Sequence, residues 1–371
     1  MNPIFDYIYS GDLEKLKAAG LNKTNIDHAD KNGMTPLTFA AAKSPKTEIL
    51  SFLIASGATV NFKDKYGMTP LMYAAMMNPN AEAVDFLLEN GARLSDKDEN
   101  GMTALLWAAK ENENPAVCAL LVDCGADIAE RDAKFNVNAL MIAAKENDNP
   151  AVVSLLIALG ANVNETTANG MTALMLAAGK NINPAITEAL ITGGADVNIK
   201  DQDGYTALLY AAESNINPAI AEFLLTHGAK ISDRNKKGAS ALLLAAVKNQ
   251  APAVIHTLVK HGADVHQKDA DLSATPLLWA AALNPNPRIA EALLAEGANL
   301  NETANSRTAL MAAAGSNPNP AVVGFLLEQG ANPAITDKTG ATAFDYAKNN
   351  PALRGTEALR QLSLGLHAAN N

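Results

Sequence analysis

The sequence is poor in several residue types, and each shortage argues against a class of protein. Aromatic residues make up 5% of the 371 residues and charged residues 18%, so the core must consist mainly of small aliphatic side chains. The only two cysteines, Cys118 and Cys124, argue against a disulfide framework and suit a reducing compartment. The net charge of −10 argues against nucleic-acid binding, which requires a basic face.

Long apolar runs are also missing. No segment approaches the roughly 20 apolar residues that a helix needs to span a bilayer. The first residues do not combine a basic stretch with an apolar one, as a secretory signal peptide would. We therefore expect no membrane partner and a cytoplasmic location, with export by a route that needs no signal peptide as the alternative.

Signatures of catalysis are absent as well. The sequence contains no phosphate-binding G-x-x-x-x-G-K-[ST], no G-x-S-x-G, no H-E-x-x-H and no C-x-x-C. His256, His261 and His266 lie near Asp264 and Asp269, which is a conceivable metal site. His261, however, stands at a predicted helix C-terminus, where it suits the helix dipole. We expect no enzyme activity, no cofactor and no metal site.

What the sequence has in abundance is self-similarity. A turn residue before Thr-Ala-Leu, Thr-Pro-Leu or a close variant recurs every 33 to 35 residues, and a Gly-Ala pair follows 24 residues after each of the first nine. Such a period indicates a tandem array of small repeats. The turn residues are Gly33, Gly67, Gly101, Asn136, Gly170, Gly204, Gly238, Ser273, Ser306 and Gly340.

Each repeat contains the signals for two short helices. In the third repeat, Thr103 is expected to cap the first helix, and Leu105, Ala108 and Ala109 form its apolar stripe. Gly125 is expected to follow the second helix in the left-handed conformation. Helices of about nine residues are marginal alone, so stacking on neighbouring repeats must stabilise them.

The motif Asn-x-Asn-Pro separates the two helices in most repeats. We predict that Asn112 ends the first helix in the left-handed conformation, that Glu113 is a spacer, and that Asn114 caps the second helix. Pro115 then takes the first helical position, where proline is favoured. Repeat seven has Ala251 in place of the capping asparagine. A ligand-binding row of asparagines is the alternative interpretation.

This pattern resembles the ankyrin repeat. The matching residues are "GMTPLTFAA" at 33–41, "GMTPLMYAA" at 67–75, "LLENGA" at 87–92 and "GADVN" at 194–198, and the Asn-x-Asn-Pro variant resembles a type common in bacterial ankyrin proteins. The resemblance implies an all-α solenoid of stacked antiparallel helix pairs. Short β-hairpin-like loops, called fingers here, would lead from each repeat into the next.

The resemblance also implies a domain layout, with repeats numbered from the one that contains Gly33. We expect a single ankyrin-repeat domain over residues 1–371. Its parts would be an N-terminal capping helix pair at 1–28, nine full repeats at 29–334, a C-terminal capping repeat at 335–362 and a tail at 363–371. The histidine that the family usually has after Thr-Pro-Leu is missing, and apolar residues stand at this position in most repeats.

Ankyrin repeats imply a non-catalytic scaffold that binds a protein or peptide. The binding face would be the concave one, formed by the fingers and first helices, and we expect a monomer. One alternative is a secreted effector or toxin-associated adaptor that acts in a host cell. A further alternative is a metal-dependent enzyme of unrecognised type.

Three sets of residues on that face are candidates for partner contact. Large apolar residues follow the turn residue in six repeats, and methionine suits adaptable surfaces. Aromatic or apolar residues precede it at three finger tips, and two methionines end the first helix of repeat two. Packing between neighbouring fingers is the alternative for the first two sets. The candidates are Met34, Met68, Met102, Val137, Met171, Tyr205, Tyr66, Phe135, Leu272, Met76 and Met77.

Overall fold

The computed structural model describes residues 3–369 and divides into two compact units. Unit 1 contains residues up to 177 together with 188–195, and unit 2 contains residues 178–187 together with those from 196 onward. Each unit is a series of antiparallel helix pairs.

The helices follow one another in pairs that match the repeat. Those before residue 160 are α1 (Pro3–Ser10), α2 (Leu13–Ala18), α3 (Pro36–Lys43), α4 (Thr47–Ala55), α5 (Pro70–Met77), α6 (Ala81–Glu89), α7 (Ala104–Glu111), α8 (Pro115–Asp123), α9 (Ala139–Glu146) and α10 (Pro150–Ala158). Those that follow are α11 (Ala173–Lys180), α12 (Pro184–Thr192), α13 (Ala207–Ser214), α14 (Pro218–Thr226), α15 (Ala241–Lys248), α16 (Pro252–Lys260), α17 (Pro276–Leu283), α18 (Pro287–Ala295), α19 (Ala309–Ser316), α20 (Pro320–Glu328), α21 (Ala343–Ala347), a 3₁₀ turn (Pro351–Leu353) and α22 (Glu357–Ala369).

Within each unit the helices stack in two layers. In unit 1 each odd-numbered helix from α1 to α9 packs on the next odd-numbered one, and the even-numbered helices from α2 to α10 do the same. Unit 2 repeats this arrangement from α13 to α22. Leu105, Leu106 and Leu121 are completely or almost completely buried between such layers. The all-α ankyrin-repeat solenoid expected from the sequence is therefore confirmed.

The residues predicted to begin and end the helices do so in the structure. The Thr69 hydroxyl accepts a hydrogen bond from the Met72 backbone N–H at 3.3 Å, and Gly125 adopts a φ of 98° after the second helix. Each first helix of the nine repeats and of the closing repeat thus begins at a side-chain cap. The residues that make the same bond as Thr69 are Thr35, Thr103, Asn138, Thr172, Thr206, Ser240, Thr275, Thr308 and Thr342.

The fingers are hairpin-like but too short for strands. In repeat two the Asp64 N–H donates to the Met68 carbonyl at 3.1 Å, and the Gly67 N–H donates back to the Asp64 carbonyl at 3.0 Å. Residues 3–369 contain three isolated β-bridges and no longer strand. Neighbouring fingers are also joined, since the Glu99 N–H donates to the Tyr66 carbonyl at 3.0 Å.

The Asn-x-Asn-Pro loop corrects one prediction. Asn112 follows α7 with φ −89° and ψ 122°, so it is extended rather than left-handed. This conformation lets the buried side chain enter the preceding repeat, where Nδ2 donates to the carbonyls of Ala75 and Asn78, both at 2.9 Å. Its Oδ1 accepts from the Asn114 N–H at 2.9 Å. The amide group therefore satisfies two carbonyls at the end of a neighbouring helix.

This buried asparagine forms a ladder, because the same two donations recur from repeat to repeat within each unit. We call the set the asparagine ladder. Its other members are Asn78 and Asn147 in unit 1 and Asn215, Asn249, Asn284, Asn317 and Asn350 in unit 2.

The second asparagine of the motif caps the second helix, as predicted. Asn114 Oδ1 accepts from the Ala116 N–H at 3.0 Å, and Pro115 is the first residue of α8. Asn114 also donates to the Pro79 carbonyl at 2.7 Å. Ala251 precedes α16 without a side-chain cap. The motif is therefore structural, and it links repeats as well as ending helices.

The last helix, α22, continues to Ala369. Residues 370 and 371 lie outside the described part of the chain.

Candidate functional site

One aspartate in a finger connects that finger to the following first helix. Asp64 accepts the N–H groups of Tyr66 and Met68 at 2.8 and 2.9 Å through Oδ1, and the Tyr73 hydroxyl at 2.8 Å through Oδ2. Burial, together with this hydrogen bond, raises the pKa of Tyr73 well above its ordinary value. The tyrosine therefore stays a proton donor, and the carboxylate fixes its ring against the finger.

The same clamp occurs in five repeats, counting the closing one. Its aromatic member is always tyrosine or tryptophan, which carry a donor that needs a partner when partly buried. The pairs are Asp64–Tyr73, Asp98–Trp107, Asp201–Tyr210, Asp269–Trp279 and Asp337–Tyr346. At the same helix position the other repeats carry residues without such a donor. These are Phe39, Ile142, Leu176, Leu244 and Ala312.

The first groove lies in unit 1, where the clamp is missing from two successive repeats. Trp107 forms one wall, and Ile142 and Leu176 continue the surface in repeats four and five. Phe135, at the tip of the repeat-four finger, overhangs this space with 62% of its surface exposed. The groove encloses about 390 Å³. We call it the Phe135 groove.

Two of the three lysines that line the Phe135 groove are paired with carboxylates. Lys110 forms ion pairs with Glu111 and Glu146, and Lys145 pairs with Glu146 at 2.7 Å. The Lys110 ammonium also lies 5.3 Å from the centre of the Trp107 ring. Lys134 also lines the groove, and its ammonium lies 5.1 Å from the centre of the Phe135 ring. Because two of these three lysines are paired with carboxylates, most of the contact that the groove offers is apolar.

The second groove lies in unit 2 and has a related construction. Trp279 and Tyr346 form its walls, Ala312 lies at the same helix position in the repeat between them, and Leu272 borders it from a finger tip. Leu272 is 48% exposed, and the groove encloses about 500 Å³. We call it the Leu272 groove.

Both grooves coincide with lengthened fingers. The turn spans Asp132 to Val137 in one and Asp269 to Ala274 in the other, where the backbone bond closes one residue later than in repeat two. Asn136 and Ser273 there have φ values of 55° and 54°, a conformation that is uncommon for residues other than glycine. Each of these two fingers carries an exposed apolar side chain at its tip, Phe135 or Leu272.

The structure separates the predicted contact residues into groups. Four of them line the Phe135 groove, namely Met102, Val137, Met171 and Phe135. Leu272 lines the other groove, in unit 2. Met68 and Met102 are only 5% and 7% exposed, so they pack between fingers and offer a partner little surface. The remaining candidates line neither groove and are Met34, Met76 and Tyr205, which are half-buried, and Tyr66 and Met77, which are exposed.

The sequence interpretation missed the clamps and therefore both groove walls. The available signal was an aspartate nine or ten residues before a tyrosine or tryptophan, as in Asp98–Trp107 and Asp269–Trp279. Tryptophan occurs only twice in the chain, and the structure places one in each groove.

The histidines considered as metal ligands are engaged separately. His256 Nδ1 contacts Glu296 at 2.5 Å, and His261 Nε2 lies 3.0 Å from Glu222. The second distance fits an ion pair, although the atoms are not aligned for a hydrogen bond. Within residues 3–369, no group of three or more His, Cys, Asp or Glu side chains is arranged to hold a metal ion. The described helices also fall short of the length and apolar character needed to cross a bilayer.

Stacked helix pairs, hairpin-like fingers and grooves beside them define a tandem-repeat scaffold. Comparison with known families agrees, since a model of ankyrin repeats in three copies matches overlapping segments that together cover residues 4–362. The chain belongs to the ankyrin repeat family, whose members are generally protein–protein interaction modules. The matched segments are 4–98, 74–132, 105–201, 140–235, 178–269, 242–337 and 277–362.

A solved structure supports the same assignment. The human ASB11 ankyrin repeat domain is similar to this chain with a TM-score of 0.52 and 27% sequence identity. The similarity covers 61% of this chain and 96% of that domain. The comparison with curated proteins found no match.

Proposed function

We propose that this protein is a non-catalytic scaffold that binds a protein or peptide in the Phe135 groove. The observation that carries the proposal is Phe135 itself, an aromatic side chain that is 62% exposed beside an apolar groove. Exposed aromatic residues next to a well-packed pocket are typical anchors of protein interfaces.

The groove is organised before any partner arrives. The Phe135 N–H is bound by Asp132 at 3.1 Å, and the Trp107 indole donates to Asp98 at 3.1 Å. Because the walls are already ordered, binding costs little conformational entropy. Because Lys110 and Lys145 are already ion-paired, the groove favours a partner segment that inserts apolar side chains over one that is strongly charged.

The test uses peptides selected against the whole chain from a random displayed library. We expect Phe135→Ala to weaken the selected peptides about 30-fold, the effect of removing an aromatic interface anchor worth about 2 kcal/mol. Tyr66→Ala is the matched control, because Tyr66 is also an exposed finger aromatic, 53% exposed, but does not line the groove.

A second readout locates the bound peptide. In a Trp279→Phe chain, Trp107 is the remaining tryptophan, and its emission should change when a selected peptide binds. The proposal is wrong if the peptides bind the Phe135→Ala chain as tightly as the wild type, or if Trp107 emission does not respond.

A further inference from the structure

We propose that the Leu272 groove is a second binding site, and that it takes an acidic peptide segment carrying one large apolar side chain. This site lies in unit 2 and does not depend on the function proposed for the Phe135 groove.

The shape of the groove fits an inserted side chain on an extended segment. It runs over three successive first helices, α17, α19 and α21. Ala312 takes the place that Trp279 and Tyr346 occupy in the adjacent repeats, so the volume of an aromatic side chain is left open between two rings. The enclosed volume of about 500 Å³ lies within the range of ligand sites.

The two aromatic walls are held in place. The Trp279 indole donates to Asp269 at 2.5 Å, and the Tyr346 hydroxyl donates to Asp337 at 2.5 Å. Tyr346 also packs against α19, since a Cβ at Gly315 would lie in ordinary contact with its ring, at 3.4 Å. A ligand would therefore meet a rigid slot.

The cations of this groove lack the ion pairs that Lys110 and Lys145 form in the other one. The Arg307 guanidinium lies 4.8 Å from the centre of the Tyr346 ring, and Lys338 lines the same groove. Both residues are exposed, and no acidic side chain among residues 3–369 forms an ion pair with either. The lining thus holds two cations and one carboxylate, a net positive charge on a protein whose overall net charge is −10.

The one carboxylate in the lining, Asp337, offsets part of this positive charge but has its oxygen atoms already occupied. Asp337 accepts hydrogen bonds from the Tyr346 hydroxyl, the Thr339 hydroxyl and N–H, and the Ala341 N–H. The bond from Tyr346, followed by that from Thr339, holds the pKa of Asp337 well below its usual range. Its oxygen atoms accept these four hydrogen bonds and form no ion pair with Arg307, so Arg307 can bind a carboxylate of a partner with charge-assisted hydrogen bonds.

The binding test observes the two grooves separately in the full chain. The two tryptophan indole N–H signals in ¹H–¹⁵N spectra would be assigned with Trp107→Phe and Trp279→Phe. The probe is the acetylated peptide amide Glu-Glu-Phe-Glu-Glu, with Lys-Lys-Phe-Lys-Lys and Glu-Glu-Ala-Glu-Glu as matched peptides. We expect the first peptide to shift the Trp279 signal saturably and to bind at least about tenfold more tightly than the others. The proposal fails if no saturable shift occurs, or if the basic peptide binds equally well.

Variants then test the chemistry. Arg307→Glu should weaken the acidic peptide at least about tenfold, while Arg288→Glu, an exposed charge outside the groove, should change its affinity less than about twofold. Ala312→Tyr should block binding without loss of thermal stability, since aromatic residues already occupy the same position in neighbouring repeats. Unchanged binding in Ala312→Tyr would overturn the proposal. Each outcome can be told apart from failure of the Phe135 site, because Trp107 reports on that groove alone.

Discussion

The two ends of each repeat differ in how regular their sequence is. The loop between the helices largely keeps the same residues from repeat to repeat, and the finger end does not. At the loop between the helices, the asparagine ladder places the same buried side chain in successive repeats and makes the same bonds to the preceding repeat, as Asn249 and Asn284 do. At the finger edge, the clamp position changes from tryptophan to isoleucine to leucine between Trp107 and Leu176. Regularity at one edge stabilises the stack, and irregularity at the other creates the grooves.

This difference shows that departures from the repeat pattern, rather than the pattern itself, indicate a binding site in a solenoid. A side chain that every repeat needs for stacking is repeated, so its periodicity says nothing about a partner. The grooves arise where the repeat pattern fails, at lengthened fingers and at helix positions that have lost their aromatic residue.

The largest expected effect tests whether the finger methionines belong to the core. Met68→Glu combined with Met102→Glu should lower the free energy of unfolding by about 4 kcal/mol, because it places charges at sites that are almost fully enclosed. The measurement is urea unfolding followed by far-UV circular dichroism. Phe135→Glu is the control, since that side chain is exposed and its replacement should change stability by less than about 0.5 kcal/mol. Equal stability of the double variant and the wild type would mean that the methionine row is surface.

The next largest effect concerns the asparagine ladder. Asn112→Ala should lower the free energy of unfolding by about 3 kcal/mol, because it leaves the carbonyls of Ala75 and Asn78 buried without the donor they have now. Peptide binding at the Phe135 groove should persist under conditions where the variant is folded. In the same loop, Asn114→Ala removes a more exposed helix cap and should cost about 1 kcal/mol. If both variants lower the free energy of unfolding by the same amount, the hydrogen bonds of Asn112 to the preceding repeat make no measurable contribution.

The smallest effect is a gain. Ala251→Asn should raise the free energy of unfolding by about 1 kcal/mol, because it restores the missing cap of α16. Asn217 and Asn286, at the equivalent position on either side, also donate to a carbonyl of the preceding repeat, at 2.8 and 3.0 Å. Ala251→Ser supplies only the capping oxygen and should gain less. A serine variant as stable as the asparagine variant would limit the role of this position to capping.

Local chemistry explains why much of the fold could be predicted. Helix starts depend on a side chain and a backbone N–H three residues away, so Thr103 and its equivalents could be identified without knowing what packs against them. The second asparagine of the loop followed from the same reasoning. The first asparagine did not, because its backbone conformation depends on acceptors in another repeat. Asn112 is extended so that its amide reaches Ala75, which lies 37 residues earlier.

The sequence by itself determined the period, the ankyrin family and the residues that cap the helices. These properties depend on contacts between residues that are close along the chain. Only the tertiary structure decided that Met68 and Met102 are buried and that the asparagines form a ladder. It also decided that Arg307 lies over Tyr346 beside the space left at Ala312. Those outcomes depend on contacts between residues about one repeat length apart. Such contacts are decided by how the side chains and hydrogen-bond donors of one repeat fit the neighbouring repeat.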